Sequence, residues 1–83
     1  MDEIEARLKQ IQNLVKLIRE DGEDAVRFTV LMPQDKLFLM TFSPKMEKWY
    51  PKSTCILTYS KDKDILLQNL FDIDDAIELI ITS

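Results

Sequence analysis

AVRFTVLM at positions 25–32 and LFLMTFS at positions 37–43, separated by Pro33-Gln34-Asp35-Lys36, are two strand-like runs that meet across a short turn signal. On the first run Val26, Phe28, Val30 and Met32 alternate with Ala25, Arg27, Thr29 and Leu31, and on the second Phe38, Met40 and Phe42 alternate with Leu37, Leu39 and Thr41. A period of two puts alternate side chains on opposite faces of a strand, so one face of this pair is apolar throughout. Pro33 presets φ for the first central position of a type I turn and Asp35 can bond its own backbone, which makes residues 33–36 the connection of a β-hairpin.

Before the hairpin, Ile4, Leu8, Ile11, Val15 and Ile18 are spaced four, three, four, three, the signature of an amphipathic helix from Asp2 to about Glu20. Asp2, Glu3 and Glu5 in its first turns and Lys16 and Arg19 in its last would complement the helix dipole, and Gly22 would end it. Leu14 and Leu17 fall outside the roughly 80° arc of that stripe and widen the apolar face. They are therefore expected to form an interface, a homodimer through the N-terminal helix being the simplest form because twofold pairs are the commonest oligomers.

After the hairpin, residues 43–53 are too long for a tight turn. Ser43 can cap and Pro44 start a single helical turn that Pro51 stops, with a plain loop as the alternative. Thr54 to Tyr59 follows as a third strand. From Asp62 to Thr82, Leu66, Leu70, Ile73, Ile77 and Ile80 repeat the four-three spacing and read as a helix. Asp72-Ile73-Asp74-Asp75 also resembles a fresh helix start, so two short helices, or a fourth strand at Ile65 to Leu70 before one helix, are alternatives. The expected architecture is a single α+β domain over residues 1–83, a two-layer sandwich of a helix, a three-stranded antiparallel sheet and a C-terminal helix or two short ones.

The chain has no histidine, one glycine and one cysteine. The first removes the usual general base and the commonest metal ligand, and the second removes both glycine-rich phosphate cradles. Cys55 has neither an activating partner nor a second cysteine and reads as a small core residue. Asp62 with Asp64, and Asp72 with Asp74 and Asp75, lack the alternating ligands, central glycine and late glutamate of a calcium loop. No enzyme activity, metal or cofactor is expected. No apolar run approaches the ~20 residues of a membrane span, and the acidic start opposes a secretory signal, so a cytoplasmic setting is expected.

Net charge is −4, which disfavours general binding to nucleic acid or to an anionic membrane. Against this acidic background Lys45, Lys48 and Lys52 surround Trp49 and Tyr50, the residue types that dominate binding hot spots. The expected function is that of a small protein–protein interaction module, an accessory or regulatory subunit or an inhibitor that occupies a partner's surface. The alternative is an acidic nucleic-acid mimic built on Glu20 to Asp24 and Asp72 to Glu78. Weak single-strand binding by the Trp49–Tyr50 pair is a third possibility.

Overall fold

The computed structural model describes residues 2–62 and 65–83. Its element order is α1 (Asp2–Lys9), β1 (Lys16–Asp21), β2 (Val26–Met32), a 3-10 turn (Pro33–Asp35), β3 (Lys36–Phe42), α2 (Pro44–Trp49), β4 (Thr54–Asp62), β5 (Ile65–Asp72) and α3 (Ile73–Thr82). The strands form one antiparallel five-stranded sheet in sequential order. The class is α+β, as expected, but the sheet has five strands where three were expected.

Registry follows from the hairpin. Phe28 faces Met40, Val30 faces Phe38 and Val26 faces Phe42, so the apolar set read from the sequence forms one face. That face extends outward in rows: Leu17–Val30–Phe38–Tyr59–Leu67, then Arg19–Phe28–Met40–Leu57–Asn69. Phe28, Val30, Met40, Cys55 and Leu57 are fully buried there. Leu8 and Ile11 at the N-terminal end, and Ile73, Ala76, Ile77 and Ile80 of α3, complete the same core. The molecule is therefore two layers, a sheet with helices on one side, and the aromatic rings lock the layer edgewise: Phe28 and Phe42 lie 6.0 Å apart in an edge contact, as do Tyr59 and Phe71.

The hairpin turn differs from the expected type I geometry. Gln34 and Asp35 both adopt left-handed backbone, with φ of 65° and 58°, and the loop has three residues between the Met32–Lys36 pair. Left-handed residues match the twist of the flanking strands better than a type I turn does.

Two corrections concern the ends of the sheet. The long N-terminal helix stops at Lys9. Backbone bonds from Gln10 to Arg7 and from Ile11 to Leu8 tighten its last turn, Asn13 takes a left-handed φ of 67°, and Val15 then donates to the Leu31 carbonyl at 2.9 Å, opening the pairing with β2. Gly22 does not cap a helix. It opens the β1–β2 turn, its N–H donating to Ala25 at 2.8 Å, and a Cβ there would stand 3.1 Å from that same oxygen. The tail likewise divides into β5 and α3, the arrangement that the sequence offered only as an alternative. Asp72 closes the strand and caps the helix, accepting from the Asp74 N–H at 2.9 Å.

Arg19 stands on the inner face of β1 between Leu17 and Asp21. Its guanidinium lies 5.8 Å from the centre of the Phe28 ring and bonds Glu5 at 3.0 Å, Asp21 at 3.0 Å and Asp2 at 3.3 Å. It thereby fastens α1 to the first strand. Arg7 reaches Asp74 at 2.8 Å and links α1 to α3. Among the described residues no helix is long and apolar enough to cross a membrane.

Val15 separates this fold from one with a long first helix. It is 61% exposed, so Val15→Glu should change stability by no more than about 0.5 kcal/mol in a denaturant melt; the same charge on the buried stripe of a long helix would cost several times that. A second expectation concerns acid. The Arg19 hydrogen bond, helped by Lys9, holds the Glu5 carboxyl below its usual range. The unfolded chain therefore takes up this proton first, and the stability contributed by Glu5 is complete above the ordinary carboxylate range and lost as pH falls through the depressed value. Glu5→Gln should flatten that part of the pH–stability profile and speed amide exchange in α1.

Candidate functional site

The connection between β3 and β4 is built to present its C-terminal end. Ser43 caps α2, its hydroxyl accepting from the Met46 N–H at 3.3 Å, and Pro44 fills the first helical position. Met46 is buried and anchors the turn. The Tyr50 N–H donates back to the Met46 carbonyl at 2.8 Å, and Pro51 prevents continuation. Thr54 then bonds the Pro51 carbonyl through both its N–H and its hydroxyl, at 3.0 and 2.7 Å, which fixes the return into β4.

On this rigid turn Trp49 is 70% exposed and Tyr50 47%. Lys45, Lys48 and Lys52 are exposed around them, and among the described residues none of the three lysines enters an ion pair. The five residues singled out by the sequence are thus gathered on α2 and the three positions that follow it. Leu14 and Leu17 are not part of any such surface. Leu14 lies in the link before β1 and Leu17 on the inner face of β1, both half-buried against the core. The exposed helical face on which a helix-paired homodimer was expected does not exist, because the helix ends five residues before Leu14.

The acidic groups are partly committed. Asp21 is held by Arg19 and Asp74 by Arg7, while Asp72 caps α3. Glu20, Asp21 and Asp24 line a shallow depression beside Gly22, Ala25 and Arg27 at the β1–β2 turn. Asp64 lies outside the described residues, so its pairing with Asp62 is not placed. Among the described residues no three side chains of metal-ligating type converge. Cys55 is fully buried, and burial, then the neighbouring Asp72 charge, push its thiol up to about 11.

The sequence reading missed the outer face of the sheet. There Ile18, Thr29, Leu39, Thr58 and Gln68 form one row, and Glu20, Arg27, Thr41, Ile56 and Leu70 the next. No residue of these rows is fully buried, and Ile18 and Leu70 are exposed. The signal was present in the hairpin itself, where Leu31, Leu37 and Leu39 occupy the positions that a water-facing strand usually gives to polar residues. Comparison with protein-family models, with curated proteins and with solved structures returns no match.

The raised thiol gives a direct expectation. Cys55 should resist a thiol reagent in the native protein and react on unfolding. Because the unfolded thiol ionises first, near its ordinary value of 9.0, the stability owed to the neutral buried form is complete below that pH and lost as pH rises toward about 11. Cys55→Ala should remove this part of the alkaline decline.

Proposed function

We propose that this chain is a small, non-enzymatic protein–protein interaction module, an accessory or regulatory subunit or an inhibitor, which holds an acidic partner surface through Trp49 and Tyr50 with Lys45, Lys48 and Lys52 around them. The observation that carries this reading is the exposure of Trp49. In so small a domain the core is thin, and the largest apolar side chain would add most to it by folding inward. Here it stands in water on a capped and anchored turn. A rigid aromatic pair costs little entropy to dock, and flanking lysines steer it toward negative charge. A cytoplasmic setting belongs to the same proposal.

The acidic-mimic alternative has less support, since Asp21, Asp72 and Asp74 already serve internal contacts. Single-strand binding would use the same aromatic pair and is separated by salt, because phosphate contacts weaken steeply as counterions are added.

Trp49→Ala and Tyr50→Ala should leave the melting curve within about 0.5 kcal/mol of wild type, as surface substitutions do, rather than cost the ~3–5 kcal/mol of a buried tryptophan. Both variants should lose a protein that immobilised wild type retains from a lysate of the native host. Equal retention by wild type and variants would overturn the proposal. Retention of nucleic acid alone, abolished by moderate salt, would replace it with the single-strand reading.

A further inference from the structure

The two edges of the sheet are guarded very differently. An edge strand presents N–H and C=O groups that its own sheet leaves unpaired, and natural sheets deter association there with charge, proline or a short strand. β1 follows this rule, with Lys16, Arg19, Glu20 and Asp21 as four of its six residues. β5 does not. From Ile65 to Phe71 it carries neither charge nor proline, and Ile65, Leu66 and Leu70 are 54%, 70% and 42% exposed. Three of the most exposed large apolar side chains are therefore concentrated on one edge, next to an outer face whose Ile56 lies directly opposite Leu70.

We propose that β5 pairs antiparallel with β5 of a second copy, across a twofold axis through Gln68, joining two five-stranded sheets into one. The partner must offer an edge that is itself neutral and apolar, and this chain has one such edge among the described residues. Addition of β5 to the charged β1 edge of another copy would be head-to-tail and would leave a free edge at each end of the pair. Pairing of β5 with itself closes at two, and without charge between Ile65 and Phe71 it sets no like charges against each other over that span.

The register follows from the pleat. Paired residues must lie on the same face, so a twofold pairing must be centred on a residue and not between two. Centred on Gln68, it sets Leu66 opposite Leu70 of the partner subunit on the outer face. On the inner face it sets Ile65 opposite Phe71 of the partner subunit. Centring on Leu67 or Asn69 instead places Leu66 opposite a glutamine or an aspartate. Of these three centres, only Gln68 sets the outer-face leucines opposite each other.

This geometry has a property that no other interface shares: Gln68 meets its own copy. Sedimentation equilibrium over a concentration series should show wild type as a dimer. Gln68→Lys and Gln68→Glu, at an exposed position, should each weaken the dimer by about tenfold or more, since like charges then face each other directly across the strands. An equimolar mixture of the two variants should recover a dimer, and circular dichroism should show both folded as wild type. A wild-type chain that stays monomeric at high concentration overturns the proposal, as it would if the true occupant of the edge were a strand of another protein. A dimer indifferent to both substitutions, or a mixture that fails to recover it, overturns it equally.

Discussion

Strict alternation along β2 and β3 is the constraint on which the rest of the molecule depends. Arg19, Phe28, Met40, Leu57 and Asn69 form a row across all five strands, and its three central members are fully buried. A slip of one residue in either central strand would turn Phe28 or Met40 to water and bring Thr29 or Leu39 inward. With so little core to spare, no other set of contacts could offset that loss. The helices then have one surface to cover, and both ends of the chain supply it, with Leu8 from one and Ile77 and Ile80 from the other.

The row ends in polar residues, and each end is handled by a different device. At β1 the inward Arg19 is satisfied by three carboxylates and by the Phe28 ring, which turns a break in the apolar pattern into the fastening for α1. Its stem covers the flank of the core while its head group remains in reach of water. At β5 the inward Asn69 is exposed, and the inner face is closed on either side of it by Leu67 and Phe71. The sheet is therefore asymmetric in its chemistry although its topology is a simple meander.

The parts of the fold legible in the sequence are those where two signals agree. The hairpin has alternation together with a turn, α2 has a serine cap together with two bracketing prolines, and the start of α3 has a capping aspartate together with acids in its first turn. β1 escaped, and β5 stood only as an alternative, because a four-three spacing is not unique to helices. Ile4, Leu8 and Ile11 belong to α1 and the turn after it, whereas Val15 and Ile18 continue the series by coincidence and face water. In the tail, Leu66 and Leu70 lie on the outer face of a strand, while Ile73, Ile77 and Ile80 lie on the buried side of a helix. Aromatic and cationic residues around Trp49 were legible as a cluster because they are adjacent along the chain. The outer sheet face was not, because its members come from five strands and share a surface only once the register is set.

The direct passage from β5 into α3 has a mechanical consequence. Asp72 ends one element and caps the next, so no slack separates them. Peeling the edge strand from β4 starting at its C-terminal end would draw Ile73, Ala76, Ile77 and Ile80 out of the core with it. The strand and helix are thus a single lever, held along its whole length by side chains that the sheet alone does not bind. An unguarded edge in a small domain ordinarily invites strand exchange between copies, in which one molecule donates its strand to another. Here the donor would have to surrender a helix as well, which leaves the edge able to accept a neighbour while its own strand stays in place.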